Sequence, residues 1–164
     1  PKLIKINQLC RIGAFSVVRC YTKDGIVLGK NFSLGAYSSL SNGFNVFSSP
    51  GSLVIGDDVG IGEYAYICAV APVTIGSDTI VGQYLSVHPQ NHHFQDKSSL
   101  IRHQGTSELG VNIGANCWIG SKVTFLDGSS VGAGSVVAAG AVVTKAFPEN
   151  VIIAGNPAKV LRER

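Results

Sequence analysis

The sequence predicts an all-β fold, a solenoid in which short parallel strands wind into coils and each coil stacks on the last. Three observations predict it. An aliphatic–glycine pair keeps returning, as Ile12-Gly13, Leu28-Gly29, Leu34-Gly35, Ile55-Gly56, Ile61-Gly62, Ile75-Gly76, Val81-Gly82, Ile113-Gly114, Ile119-Gly120 and Val131-Gly132. Within blocks the aliphatic residues step by six, as Leu28, Leu34, Leu40 and Val46, or Ile55, Ile61 and Ile67, or Ile75, Val81 and Val87. The cleanest block runs Ile113, Ile119, Phe125, Val131, Val137 and Val143. Third, 20 of 164 residues are glycine and only 14% are charged, against about 7% and roughly 25% in ordinary soluble domains.

A step of six is not helical, because 3.6 does not divide it. It suits strands, in which residues two or four apart share a face. The position four after each aliphatic residue is mostly small: Ser38, Val59, Ala65, Leu85, Cys117, Val123, Ser129, Ser135 and Ala141. Both positions are expected to point inward, with glycine supplying turn conformations. Stacked coils then complete each other's backbone hydrogen bonds around one apolar core. The periodicity leaves the hand of the coil open.

The chain is expected to form one domain, 1–164. Residues 1–25 hold one good repeat, at Ile12, and a possible strand at Leu3–Ile6, so an irregular cap is expected there. Residues 157–164 are expected to form a short C-terminal helix after a Gly155-Asn156 turn, capping the other end. The net charge of +3 is too mild to argue for nucleic acid or an anionic membrane. No apolar run reaches the roughly 20 residues of a membrane span. The start, PKLIKINQLC, has no apolar core or small-residue cleavage site of a signal peptide. Four cysteines without a CxxC pair make a reducing cytoplasm the expected location.

The repeat breaks once at length. The interval from Val87 to Ile113 is no multiple of six, so a loop is expected to protrude at about 88–112. It holds all four histidines, His88, His92, His93 and His103, with Asp96, Arg102 and Glu108. A long polar excursion from a regular scaffold is where function usually sits.

The repeat [LIV]-G-x4, over most of residues 26–164, resembles that of the hexapeptide-repeat acyltransferases. The resemblance implies a left-handed parallel β-helix with triangular coils of three hexapeptides. Within that family the chain is most similar to galactoside and maltose acetyltransferases and to polysaccharide O-acetyltransferases. These carry a TIG coil followed at fixed distance by a catalytic histidine; counting from Thr74-Ile75-Gly76 lands on His92. The polysaccharide branch also resembles this chain at Asn91-His92-His93-Phe94 and at Leu100-Ile101-Arg102-His103-Gln104-Gly105, with Leu100 where proline is common. The resemblance implies His92 as general base, with His93 the competing position. It implies that Trp118, Asn91, His93 and Arg102 lie beside the acceptor. An imidazole of pKa near 6.5 is largely neutral at pH 7 and can take a proton from an attacking hydroxyl. No nucleophile is needed; Cys117, at an inward position, is expected in the core.

The C-terminal block resembles the acetyl-CoA-binding end of sugar O-acetyltransferases. It matches at Asn116-Cys117-Trp118-Ile119-Gly120, at Val137–Lys145 with Ala138 and Ala141 replacing glycine and serine, at Pro148-Glu149-Asn150 and at Ala154-Gly155-Asn156-Pro157-Ala158-Lys159. By position, the resemblance implies that Ser121, Ala139 and Thr144 line the pantetheine arm and that Lys159 and Arg162 reach the phosphates. The alternative for these two cations is a solvated helix end. The family implies acetyl-CoA as cosubstrate, no metal, and a homotrimer with clefts between subunits. A low charge content fits flat faces hidden in such an assembly.

The expected function is therefore acetyl-CoA-dependent O-acetyl transfer to a sugar or sugar-bearing acceptor. An antibiotic-inactivating acetyltransferase shares the fold and stands second. The His88/His93 spacing, H-x4-H, is similar to that of carbonic-anhydrase-like zinc β-helices, but the accompanying glycine and cysteine signature is missing. A non-catalytic scaffold would leave the polar loop and tail motifs without a purpose.

Overall fold

The computed structural model describes residues 3–43 and 51–164. Val46, expected to close one block of repeats, lies outside them. The chain cycles through three parallel sheets, visiting each once per coil. The first coil is β1 (Ile4–Ile6), β2 (Arg11–Ile12) and β3 (Val17–Arg19); the second is β4 (Ile26–Leu28), β5 (Ser33–Leu34) and β6 (Ser39–Ser41). The third is β7 (Leu53–Ile55), β8 (Gly60–Ile61) and β9 (Tyr66–Cys68); the fourth is β10 (Val73–Ile75), β11 (Ile80–Val81) and β12 (Ser86–His88). A two-stranded arm, β13 (Asn91–His92) and β14 (Thr106–Ser107), interrupts the winding. The coil resumes with β15 (Val111–Ile113), β16 (Trp118–Ile119) and β17 (Thr124–Leu126), then β18 (Ser130–Val131), β19 (Val136–Val137) and β20 (Val142–Val143). It ends with β21 (Ala146–Phe147), β22 (Val151–Ala154) and β23 (Lys159–Glu163).

The step of six is the length of one side of a coil, and three such steps make a full turn. In the regular part Trp118 accordingly pairs with Val136, and Thr124 with Val142, one coil further on. The aliphatic residues and their partners four positions on point inward: Ile113, Cys117, Ile119, Val123 and Phe125 are all essentially buried. Coil stacking joins these layers into a single apolar core.

The glycines have a different cause from the one expected. Those of the aliphatic–glycine pairs do not lie in the left-handed region. They lie where one coil rests on the next: a Cβ on Gly62 would sit 2.7 Å from the Gln83 nitrogen, and one on Gly120 would sit 2.5 Å from the Ala139 nitrogen. The left-handed turn positions come two residues later and hold Asn31, Asp58, Asp78 and Asn116, but also Tyr37, Tyr64 and Tyr84. Asn and Asp tolerate that conformation. The tyrosines are held there by stacking on each other and on Phe15, with ring centroids 5.0–5.2 Å apart. Lys122 lies over the last ring, 6.0 Å from its centroid.

Two end elements differ from expectation. The N-terminal segment is not an irregular cap, because β1, β2 and β3 each pair in register with the second coil. The C-terminal segment is not a helix. It turns at Gly155 (φ +101°) and returns as β23, antiparallel to β22. The physical reason is the edge of the last coil: β22 presents unpaired backbone groups that a returning strand satisfies and a helix does not.

Every change in coil length falls at one edge, between the third strand of one coil and the first of the next. Ile4 pairs with Ile26 and Arg11 with Ser33, so the first coil is slightly longer than three steps of six. Val73 pairs with Val111 and Ile80 with Trp118, so the fourth is about twice that length. This longest insertion, 89–110, carries the arm. Two neighbouring glycines test the stacking account. Gly60 faces outward, its added Cβ 3.4 Å from the Ser33 hydroxyl, whereas Gly62 meets backbone. Gly60→Ala is expected to change stability by no more than about 0.5 kcal/mol. Gly62→Ala is expected to lose about 3 kcal/mol or fail to fold. Equal thermal midpoints for the two variants would refute it.

Candidate active site

The arm is a hairpin whose register alternates its side chains. Asn91 pairs with Ser107 and His92 with Thr106, and the His93 N–H donates to the Gly105 carbonyl at 3.0 Å. Residues opposite one another or two apart share a face. His92 therefore shares a face with Gln90, Thr106 and Glu108, while Asn91 shares the other with His93 and Ser107. On the first face the Gln90 amide donates to the Glu108 carboxylate at 2.7 Å. The Thr106 hydroxyl donates more weakly to the same oxygen, at 3.4 Å. The His92 ring is exposed and makes no hydrogen bond among the described residues.

His93 is held. Its Nδ1 lies 3.2 Å from the Gln104 carbonyl, which can only accept, so Nδ1 carries the proton and Nε2 is left as the acceptor. With Gln95, Asp96, Ser99, His103 and Gln104 it lines a bowl of about 590 Å³. Gln104 builds the wall by donating to the Asp96 and Ser99 carbonyls at 2.8 and 2.9 Å. The Ser98 hydroxyl and N–H hold the Asp96 carboxyl below its ordinary range. Arg102 is exposed on one turn of 3-10 helix, Ile101–His103.

His88 stands apart, on β12. Its Nε2 lies 2.7 Å from the Ser86 hydroxyl and its ring packs on Tyr66. Burial pushes the Tyr66 phenol up. Among the described residues no three His, Cys, Asp or Glu side chains gather as a metal group.

A second concavity lies on the second face of the coil. Gly82, Trp118, Gly120, Ser121, Val136, Val137, Ala138, Ala139 and Ile152 line a largely apolar groove of about 550 Å³. Trp118 is its exposed wall, at 58% accessibility. The Ser121 hydroxyl donates to Gln83 at 2.9 Å. Ser121 and Ala139 are among its lining residues, and Thr144 lies outside this lining, on the corner after β20. Lys159 pairs with Ala154 and Arg162 with Ile152, so both cations sit on the strand that borders the groove, Arg162 on the face that Ile152 presents to it. Cys117 is 2% exposed, and burial raises its thiol, which makes it a core residue.

Residues 110–145 match the family model for bacterial transferase hexapeptide repeats (six repeats). WbbJ of Escherichia coli (strain K12), named for O-acetyl transfer in lipopolysaccharide biosynthesis, is 35% identical over 163 residues, covering 94% of this chain and 79% of WbbJ. The chain belongs to the hexapeptide-repeat acetyltransferase family. It is an acyltransferase by that membership. The chain spans less than half the length of relatives from Mycobacterium tuberculosis and Staphylococcus aureus. Among solved structures, a galactoside acetyltransferase in complex with coenzyme A is 28% identical (TM-score 0.54, 93% of this chain, 64% of that one). A maltose O-acetyltransferase from Clostridium difficile 630 shares the fold, at 23% identity and TM-score 0.64, over 99% of this chain and 71% of that one.

Hexapeptide-repeat membership accounts for the coil, but three features of the arm had no reading in the sequence. Gln104 as its internal brace, the Gln90–Glu108 pair and the carboxylate of Asp127 at its root all depend on contacts between distant residues. Glu108 was visible as an acid in the loop; Asp127 had no signal, being a single acid among other polar residues inside a regular block.

Proposed function

We propose that this acyltransferase moves an acetyl group from acetyl-CoA to a hydroxyl of a sugar or sugar-bearing acceptor. The observation that carries the reading is the groove beside Trp118. Its apolar floor of Val136, Val137, Ala139 and Ile152 suits a pantetheine arm, and Lys159 and Arg162 border it as a nucleotide's phosphates would require. The relatives named for lipopolysaccharide and maltose acetylation support a saccharide acceptor.

Acetyl-CoA supplies the activated acyl carbon when bound. His92 accepts the proton of the acceptor hydroxyl as that oxygen attacks, then returns it to the departing thiolate. Arg102 and Trp118 flank the acceptor, whereas Asn91 and His93, also expected beside it, face the other side of the hairpin from His92. Thr144 joins Ser121 and Ala139 along the pantetheine arm. A second reading gives the base role to His93, because its protonated Nδ1 bonds a carbonyl and leaves Nε2 ready to accept.

The same proposal makes the chain one left-handed β-helical domain, 1–164, working as a homotrimer. In a three-sided coil, the edge joining the third and first faces lies opposite the second face. The arm leaves from that edge and the groove lies on that face, so one coil does not bring them together. A neighbouring copy does, and three copies close the symmetry. All four cysteines are free thiols, as a reducing cytoplasm would keep them. No helix among the described residues is long and apolar enough to cross a membrane.

Replacing His92 by Ala is expected to keep the fold and lower turnover of acetyl-CoA with a sugar acceptor by about 10²-fold or more, with His93→Ala much milder. Free-thiol release measures it; reversed effects would transfer the base role to His93. Lys159→Ala and Arg162→Ala are expected to raise KM for acetyl-CoA with kcat nearly unchanged, since contacts to a remote phosphate are alike in ground and transition states. Titration with CoA and dephospho-CoA checks it, and equal binding of both ligands by all variants would exclude these cations from the 3′-phosphate. Light scattering is expected to report three chains per particle. At acetyl-CoA well below the KM of Lys159→Ala, mixing His92→Ala with Lys159→Ala subunits is expected to restore part of the activity. A fully active monomer would overturn the shared site.

A further inference from the structure

We propose that Asp127 is a positioning residue for acyl transfer: its carboxylate latches the arm to the coil and so fixes where the base stands. The proposal rests on the reading that the arm carries the base at His92.

Asp127 follows β17 at the irregular edge of the coil and is the only buried carboxylate among the described residues, at 8% exposure. A buried carboxylate is tolerated only where donors surround it. Here three do. The N–H groups of Leu109 and Gly110 donate to Oδ1 at 2.7 and 3.1 Å, and the Ser107 hydroxyl donates to Oδ2 at 2.8 Å. All three donors belong to the returning limb of the arm, and none belongs to the coil that Asp127 itself is part of. The turn at 127–129 closes without the carboxylate, through the Ser129 N–H and hydroxyl donating to the Leu126 carbonyl. The adjacent Gly128 N–H donates back to the Gly110 carbonyl at 2.8 Å, completing a two-way clasp.

The clasp is one residue from the base's partner. Ser107 adjoins Thr106, and Thr106 is paired with His92 across the hairpin. Among the described residues the His92 ring has no hydrogen bond to hold it, so its place follows the hairpin backbone, and the hairpin backbone follows Asp127. A reacting base must stand within a few tenths of an ångström of its place; a shift of about 1 Å can cost about 10²-fold. The cofactor groove shares no lining residue with this clasp. Loss of the latch is therefore read in kcat and not in the KM for acetyl-CoA.

Two substitutions separate positioning from general support. Asp127→Ala removes every acceptor. Asp127→Asn keeps Oδ1 for the two amides and can donate from Nδ2 to the Ser107 oxygen. For Asp127→Ala, amide hydrogen exchange at Leu109, Gly110 and His93 is expected to quicken at least about tenfold, with exchange in the coil core unchanged. Its kcat is expected to fall between about 10- and 100-fold, with KM for acetyl-CoA within about twofold. Asp127→Asn is expected to recover most of both losses. Placed in His92→Ala, Asp127→Ala is expected to cost nothing further. Unchanged exchange in Asp127→Ala would overturn the latch. Quickened exchange with wild-type kcat, or a KM that rises in step with a falling thermal midpoint, would reduce it to a structural contact. Full activity of His92→Ala beside a slow Asp127→Ala would overturn His92 as the base while supporting the positioning of the hairpin.

Discussion

The structure depends on close stacking of backbone on backbone. Each coil completes the hydrogen bonds of the one before it, as the Gly120 N–H does at the Val137 carbonyl, 2.8 Å away. That contact leaves no room for a side chain at certain corners, and glycine stands there because it has none to place. Where the corner also needs a left-handed residue, the chain uses Asn, Asp or a column of tyrosines that stack from coil to coil. The regular spacing of aliphatic residues then follows, because each inward side chain must lie directly over its counterpart one coil away.

Such a scaffold confines irregularity. Two of its three edges keep strict length, and each departure collects at the third. The arm with the histidines leaves there, while the groove beside Trp118 lies on the face opposite. A rigid coil can hold each half of the site accurately, but it holds them apart. The proposed sharing of the site between copies of the chain answers that separation.

Within the arm, polar groups take the part that apolar packing has in the coil. Gln104 braces its interior, Glu108 and Gln90 tie its two limbs, and Asp127 fastens it to the scaffold. His93 is oriented by a carbonyl, whereas His92 depends on its backbone alone. The two adjacent histidines thus differ in kind, one preset by its neighbours and one delivered by its strand.

The coil is legible in the sequence because the repeat is local and periodic: the aliphatic–glycine pairs and their inward partners at Cys117, Val123 and Ala141 require no knowledge of distant contacts. The sequence also marked the excursion and the tail, since both interrupt or end a pattern. The rest depends on contacts between residues far apart in the chain. The paired glycines proved to be sites of close approach and not of unusual φ. Residues 4–19 proved to be a full coil although only Ile12-Gly13 repeats the pair, because pairing with the second coil outweighs a weak local pattern. The tail became a strand and not a helix because the open edge of β22 was there to receive it. Asp127 acquired three donors only when the arm folded back on it. Each of these turns on a backbone group meeting another far away in the chain, and local spacing holds no record of such a meeting.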